Sequence, residues 1–365
     1  MFLILTRNFP PDIGGMQALM GGLSESLINH GPVKVFAYEF PNSEAYDVKS
    51  SLKIERIKGL KLFRKYRKAN LVNNYINENS NIRAVFADHW KSLELIKEDY
   101  LKKTKTFCLL HSKEINHEIN SSLNKRIIKS TNKADYIIAN SNFTKELAIK
   151  VGINKSKIRV IFPGIKEPKA VENIYKVKAE TIFKDSFPKI ITVARLDKRK
   201  SHDKILMLIK NLKSKFSKIK YVSIGDGEEK SNLMSLSKKL SIENDVVFLN
   251  NVEENLKFSL IASSNLFLMP SRIEKKSVEG FGISFMEAAS YGVASIGGKD
   301  GGASDAIIHN KTGLICDGND LNSIYEAFNY FFKNDNSVNF GNAAKKFSEN
   351  FYWNKVVKNY LKLIN

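Results

Sequence analysis

The stretch LFLMPSRIEKKSVEGFGISFMEAASYG, residues 266–292, lays out one complete structural step. Residues 266–269 are apolar and strand-length, and Pro270 ends the run. A polar loop then leads to Gly280 and Gly282. From Gly282 to Tyr291 the chain is apolar and rich in small residues, as a buried helix requires, and Gly292 is a stop signal. A strand running through a glycine loop into a helix is the repeating step of a parallel α/β sheet. Two carboxylates flank the helix mouth, Glu279 and Glu287, with seven residues between them.

The same step recurs on both sides of this stretch. In the first half, strand-length runs lie at 2–6, 33–37, 84–87, 106–110, 135–139 and 158–162, with helical patterns at 16–29, 69–77, 122–131 and 143–150. In the second half the runs lie at 189–194, 220–224, 245–249, 266–269, 294–297 and 313–315. The alternation predicts an α/β protein of two doubly wound domains with parallel sheets covered on both faces. The 365 residues are too many for one ordinary core, which agrees with two domains. A Lys/Glu-rich linker is expected near 164–187, and an aromatic helix carrying Phe347, Phe351, Tyr352 and Trp353 near 342–364.

Composition narrows the class. No apolar run approaches membrane-spanning length, and the opening MFLILT lacks the basic flank and cleavage site of a signal peptide. Two cysteines, Cys108 and Cys316, supply neither a disulfide framework nor a metal site, so a reducing cytoplasm is the expected setting. The formal charge is +20. Residues 1–165 carry 27 of the 58 Lys/Arg but only 15 of the 38 Asp/Glu. Such a field favours anionic partners. A nucleic-acid binder lacks its signatures here: no helix-turn-helix, zinc or stacked-aromatic pattern is present. A Lys/Asn-rich genome would produce the same excess without any partner.

In doubly wound sheets, ligands bind where strand ends meet helix N-termini. The first N–H groups of the helix that opens at Gly282 lack intrahelical partners and attract an anion, above all a phosphate. Glycines at 280 and 282 let the backbone approach it closely. Glu279 and Glu287 are poorly suited to gripping phosphate and well suited to accepting hydrogen bonds from sugar hydroxyls. Sugar, diphosphate and second sugar in a row describe a nucleotide sugar. Taken alone, the two glutamates are also ordinary helix-dipole partners. Arg195 and Lys200, in VARLDKRKSHD (193–203), fall on another strand-to-helix loop; each charge-assisted bond to phosphate adds roughly 1.5–3 kcal/mol. The glycine-rich turn IGDGEE (224–229) ends another strand and is too short for a dinucleotide fingerprint, while the backbone of GGKDGGASD (297–305) is expected to line the same cleft.

The set Arg195…Lys200, Gly225-Asp-Gly227, Pro270-Ser-Arg272, Glu279-Gly-Phe-Gly282…Glu287 and Gly301-Gly302…Asp305 resembles the retaining glycosyltransferases of family 4. NFPPDIGGMQALMGGLSESLINHG (8–31), ANSNFTKELA (139–148) and VIFPGI (160–165) extend the resemblance over nearly the whole chain. It implies two Rossmann-like domains facing a cleft, the GT-B type. Residues 1–165 would bind the acceptor and 166–345 the nucleotide sugar, while 346–365 would form a helix crossing back to the N-terminal domain. Arg195 and Lys200 would hold the diphosphate and stabilise the leaving nucleotide, together with N–H groups at Phe281, Gly282 and Ile283. Glu279 would bind the transferred sugar and Glu287 the ribose. Asn251 and Val252 would meet the base, and Gly14 and Gly15 would approach the donor from the opposite domain. His111 would contact the donor sugar near the reacting carbon. Family members retain configuration by letting a donor phosphate take the acceptor's proton, so no spaced carboxylate pair, cofactor or metal is implied. Three positions depart from the family pattern, which has glycine where Ser112 and Ser201 stand and often an acidic residue where Lys166 follows PGI.

Locally, VEGFGISFMEAASYGVASIGGKDGGASDAI (278–307) looks most like the phosphatidylinositol-mannoside mannosyltransferases, which use GDP-mannose; UDP-hexoses remain an alternative donor. The acceptor is expected to be lipid-linked or a surface glycan. RIKGLKLFRKYRKANL (56–71) mixes six Lys/Arg by residue 67 with Leu60, Leu62, Phe63 and Tyr66, a composition suited to the anionic inner face of the cytoplasmic membrane. A surface-polysaccharide or lipopolysaccharide transferase, and a catalytically degenerate sugar-nucleotide binder, are the competing readings.

Overall fold

Strand-length runs of Val, Ile, Leu and Phe are buried on both faces, and this forces helices onto both sides of a parallel sheet. The computed structural model, which describes residues 1–365, contains two such sheets, and every strand pair in them is parallel. The chain divides into two units: Met1–Lys166 with Phe351–Asn365, and Glu167–Asn350.

The first unit holds β1 (Phe2–Leu5), β2 (Val33–Tyr38), β3 (Lys53–Ile57), β4 (Ala84–Ala87), β5 (Lys105–Leu110), β6 (Tyr136–Ala139) and β7 (Ile158–Val160). Their order is β3-β2-β1-β4-β5-β6-β7. The chain therefore winds outward from β1 through β2 to β3, returns to β4, and winds the other way. The crevice between the ends of β1 and β4 is the switch point where doubly wound sheets bind ligands. Every residue of β1 and β4 is buried.

The second unit holds β8 (Lys189–Val193), β9 (Lys220–Ile224), β10 (Val246–Leu249), β11 (Leu266–Met269), β12 (Ser295–Gly298) and β13 (Gly313–Cys316), ordered β10-β9-β8-β11-β12-β13. Its switch point lies between β8 and β11.

Four expectations need correction. Strand β3, KIERI, is absent from the sequence reading: only Ile57 is fully buried, so the segment carries no apolar run. The helix expected over 69–77 spans Lys61–Glu78, because its first two turns expose Leu62, Phe63 and Tyr66 and show no buried face to detect. The single helix expected near 342–364 is two, Asn336–Ser348 and Trp353–Ile364. Between them Tyr352 leaves the helical path and bridges to Ile165, with Ile165 N–H donating to Phe351 O at 2.8 Å and Trp353 N–H to Ile165 O at 3.1 Å.

The last helix belongs to the first unit for a packing reason. Tyr360 is buried edge-on to Phe86 and Phe107, and the Trp353 indole occupies the space beside Gly22 and Gly164, where no side chain fits. The stretch expected as linker, 164–187, instead contains the helix Asn173–Phe183. It buries Ala179 and Phe183 and accepts a hydrogen bond from Ser259 Oγ at the Tyr175 carbonyl.

Candidate active site

Both loops at the β8/β11 switch point carry charge inward. The loop after β8 places Arg199 and Lys200 in a one-turn helix, Lys198–Lys200, and both are buried. The loop after β11 places Glu279 opposite them, also buried. Arg199 Nη1 donates to Glu279 Oε2 at 2.8 Å, and Lys200 Nζ donates to the same oxygen. Two cations thus share one carboxylate. Burial alone would raise the Glu279 pKa, but Lys200 and Arg199 outweigh it and hold it down at about 2, so the carboxylate stays charged. Burial pulls Lys200 below its ordinary value despite Glu279, with the Arg199 charge adding to the effect.

Arg195 joins from the same loop. Its side chain is 70% exposed, and its guanidinium lies 3.3 Å from Asp197 Oδ2, which is 3.8 Å from Arg199. Arg195, Arg199 and Lys200 against Asp197 and Glu279 leave an excess of positive charge. Three polar atoms here are buried without a hydrogen-bond partner: Asp197 Oδ1, Arg199 Nε and Ser271 Oγ. Buried orphan polar atoms are rare, and their concentration in the loops after two adjacent strands, β8 and β11, fits a site shaped for a polar ligand.

The helix after β11, Ile283–Ser290, opens beside this cluster. Gly282 caps it at φ 86°, a left-handed conformation that favours glycine, and a side chain there would strike the Phe285 ring. No side chain caps the helix and no acidic residue occupies its first turn, so its N-terminal N–H groups stay open to an anion. The Phe281 side chain is buried.

The glycine turns let neighbouring loops pack closely. Side chains at Gly225 and Gly227 would collide with the carbonyls of Ala194 and Leu196, and at Gly298 and Gly318 with those of Ser271 and Pro270. A side chain at Gly301 would collide with the Glu279 carbonyl, to which Gly302 N–H donates at 2.9 Å. These glycines let neighbouring loops press backbone to backbone against the two charged loops and hold them in place. His202 supports the same loop. Its imidazole is buried, lies 2.9 Å from the Tyr221 hydroxyl and 3.3 Å from the Arg195 carbonyl, and burial lowers its pKa to about 4.

Glu287 lies on the same helix, but its carboxylate accepts from Lys257 Nζ at 3.0 Å, a partner the sequence did not suggest. Asn251 and Val252 occupy the loop after β10, the far edge strand, where Asn251 has φ 49°.

In the first unit, His111 follows β5. Its Nε2 lies 2.8 Å from the Asp88 carbonyl, an acceptor only, so Nε2 carries the proton; its backbone N–H donates to Glu114 Oε1 at 2.6 Å. Gly14 and Gly15 open the helix Gly15–Leu27. A side chain at Gly15 would meet no atom, and one at Gly14 only the flexible end of Gln17. Ser112 and Ser201 hold φ of 87° and 56°, so both keep the left-handed backbone expected of glycine. Each serine hydroxyl bonds locally, Ser112 to Thr144 at 2.5 Å and Ser201 to the Gly318 carbonyl at 3.3 Å.

Two doubly wound parallel units, with a positively charged switch point beside an open helix mouth, define a nucleotide-sugar-dependent glycosyltransferase of the GT-B type. The chain belongs to the family described as glycosyl transferases group 1, which matches residues 157–350, and residues 13–167 match the description glycosyltransferase family 4. It is 22% identical over 337 residues to a GDP-mannose-dependent alpha-(1-6)-phosphatidylinositol monomannoside mannosyltransferase of Mycolicibacterium smegmatis, covering 89% of this chain and 87% of that one. It is 28% identical over 254 residues to an N-acetylgalactosaminyltransferase of Campylobacter jejuni acting on a diphospho-undecaprenol-linked sugar, covering 68% and 65%. The crystal structure of Anabaena Alr3699/HepE in complex with UDP shares the fold, with a TM-score of 0.81 at 16% identity over 100% of this chain and 99% of that one.

The shared carboxylate predicts an asymmetry in stability. Glu279→Gln leaves Lys200 without a counter-charge and Arg199 with only Asp197 at 3.8 Å, and is expected to cost about 3–5 kcal/mol. Lys200→Met leaves one cation on one carboxylate and is expected to cost clearly less. Urea unfolding of both variants checks this, and the reverse order contradicts it.

Proposed function

We propose that the protein is a retaining, metal-independent hexosyltransferase that moves mannose from GDP-mannose to a lipid-linked or surface-glycan acceptor at the inner membrane face. The observation that carries the donor half is the pair Arg199 and Lys200 on Glu279 beside the open helix at Ile283. An incoming diphosphate brings the negative charge that this cluster lacks, and its oxygens match the orphaned Arg199 Nε and Ser271 Oγ. Arg195 reaches from solvent to the outer phosphate. Fixed cations of this kind stabilise charge on the leaving nucleotide, the task a divalent metal performs elsewhere.

Glu279 then has two duties, balancing the cations and accepting from the transferred sugar. Glu287 would exchange Lys257 for the ribose hydroxyls. Asn251 and Val252 are assigned to the base through their backbone. The roles of Gly14, Gly15 and His111 at the transferred sugar rest on the family alone. GDP-mannose as donor is supported by the GDP-mannose dependence of the Mycolicibacterium smegmatis relative. A UDP-hexose donor is the second reading, favoured by solved relatives of this fold in complex with UDP and UDP-glucose.

Membrane contact is assigned to the helix Lys61–Glu78. It exposes Leu62, Phe63 and Tyr66 among Lys61, Arg64, Lys65 and Arg67, and Leu60 just before it is exposed as well. No helix of the chain is long and apolar enough to cross a membrane. Each basic residue near an anionic surface adds about 1 kcal/mol.

Calorimetric titration with GDP, UDP, GDP-mannose and UDP-glucose in the presence of a chelator tests the donor. Selective binding of guanine nucleotides is expected, with turnover at least tenfold lower in Arg195→Ala; a protein that is folded yet binds none of them contradicts the reading. Vesicles of phosphatidylglycerol are expected to retain the protein at low salt and release it at high salt. Absence from those vesicles at low salt removes the membrane assignment.

A further inference from the structure

The other switch point, between β1 and β4, has its own cationic cluster that no assigned role uses. Arg7 follows β1 directly. Lys91 follows β4, and Lys68 reaches the same crevice from the helix Lys61–Glu78. Lys68 is buried, with Nζ 3.2 Å from the Thr6 carbonyl and 2.9 Å from Ser92 Oγ.

The negative charge nearby is already committed. Asp88 Oδ2 accepts from Thr6 Oγ1 at 3.0 Å and from Arg7 N–H at 2.9 Å, and Oδ1 accepts from Ser92 Oγ at 2.6 Å. Glu94 is paired with Arg126 at 2.7 Å. Arg7 Nε is buried with no hydrogen-bond partner, and the Arg7 guanidinium and Lys91 ammonium have no carboxylate within ion-pair distance. Lys91 rests over the Trp90 ring, 5.2 Å from its centroid.

Burial is the main influence on the ionisable neighbours, and the Arg7 charge adds to it. Burial lowers Lys68 to about 8, with Asp88 opposing and Arg7 adding to the shift. Partial burial, then Arg7 and Arg126, pull Lys91 below its ordinary value against Glu94. His89 is held neutral by burial and by Arg7, and its Nδ1 accepts from Lys91 N–H at 3.0 Å.

We infer that the β1/β4 crevice is a subsite for a phosphate group, gripped by Arg7 and Lys91, and that the acceptor carries that phosphate. A tetrahedral oxyanion supplies the charge the crevice lacks and a partner for Arg7 Nε, and an arginine with an unused N–H near a lysine ammonium is well matched to it. Calling the ligand the acceptor rests on the transferase reading above; the phosphate subsite itself does not. The phosphate is either that of a soluble ester or that of a lipid headgroup presented beside the exposed face of Lys61–Glu78.

The test uses the full chain as wild type, Arg7→Gln, Lys91→Gln and Arg195→Ala, each checked for folding by circular dichroism. Glycerol 3-phosphate is titrated by calorimetry. Co-sedimentation is measured with phosphatidylglycerol and with phosphatidylcholine vesicles. Glycerol 3-phosphate binding at least tenfold weaker in Arg7→Gln and Lys91→Gln, but unchanged in Arg195→Ala, supports the site with a soluble ester. A tenfold loss confined to phosphatidylglycerol vesicles in the same two variants supports it with a lipid headgroup. If Arg7→Gln fails to fold, Lys91→Gln decides alone. Binding that neither variant weakens, or that Arg195→Ala weakens equally, overturns the proposal. Failure of the donor reading shows separately, as a wild type that binds no nucleotide yet keeps its Arg7-dependent phosphate binding.

Discussion

Two buried cations on a single carboxylate are the constraint around which the second unit is arranged. Arg199 and Lys200 come from the loop after β8, and Glu279 from the loop after β11, about eighty residues away in sequence. Burying an unbalanced charge is expensive, and a protein tolerates it where a ligand completes the balance. Much else in the unit serves to hold these two loops. Glycines at 225, 227, 298 and 318 let adjacent loops reach their carbonyls without side chains in the way, and His202 braces the Arg195 carbonyl from below. Gly282 turns the chain sharply so that an uncapped helix begins beside the cations. The anion-seeking character of the site is therefore built from three sources: side-chain charge, helix N–H groups and orphaned polar atoms.

The two sheets solve the same problem in parallel. Each reverses its winding once, β1 to β4 in the first and β8 to β11 in the second, and each reversal leaves a crevice whose walls are loops rather than packed elements. In both, a buried lysine sits close to a buried carboxylate, Lys68 with Asp88 and Lys200 with Glu279. The difference lies in how the carboxylate is used. Asp88 is saturated by Thr6, Ser92 and the Arg7 backbone, so it fixes the crevice wall. Glu279 accepts from its two cations through Oε2, which leaves the other oxygen, Oε1, for a ligand hydroxyl.

The sheet architecture was legible because parallel strands bury both faces and so appear as short apolar runs, such as FLIL and LFLM. Strand β3 escaped because an edge strand of sequence KIERI has charged residues at three of its five positions and needs only Ile57 inside. The start of Lys61–Glu78 escaped because its first apolar residues face outward. The break at Tyr352 depends on pairing with Ile165, nearly two hundred residues distant, which no local pattern records. Within the site, Glu279, Glu287, Arg195 and Lys200 stood out through their motif. Arg199 did not, since in DKRK it looks like one more solvated base, and its burial follows only from Glu279 folding over it. Lys257 was hidden for the same reason: its partner Glu287 lies on another helix. The serines at 112 and 201 looked like departures from a glycine pattern, yet the backbone there keeps the glycine conformation, and local hydroxyl bonds accompany the strain.

The central claim is that the excess cation at the β8/β11 crevice exists to hold a diphosphate. The most direct measurement compares the affinity for the nucleoside diphosphate with that for its monophosphate, in wild type and in Lys200→Met. The second phosphate is expected to strengthen binding markedly in the wild type, and that advantage is expected to fall at least tenfold when Lys200 is removed, while monophosphate binding changes little. An equal diphosphate advantage in both proteins would show that the buried cations serve the fold alone and would contradict the account.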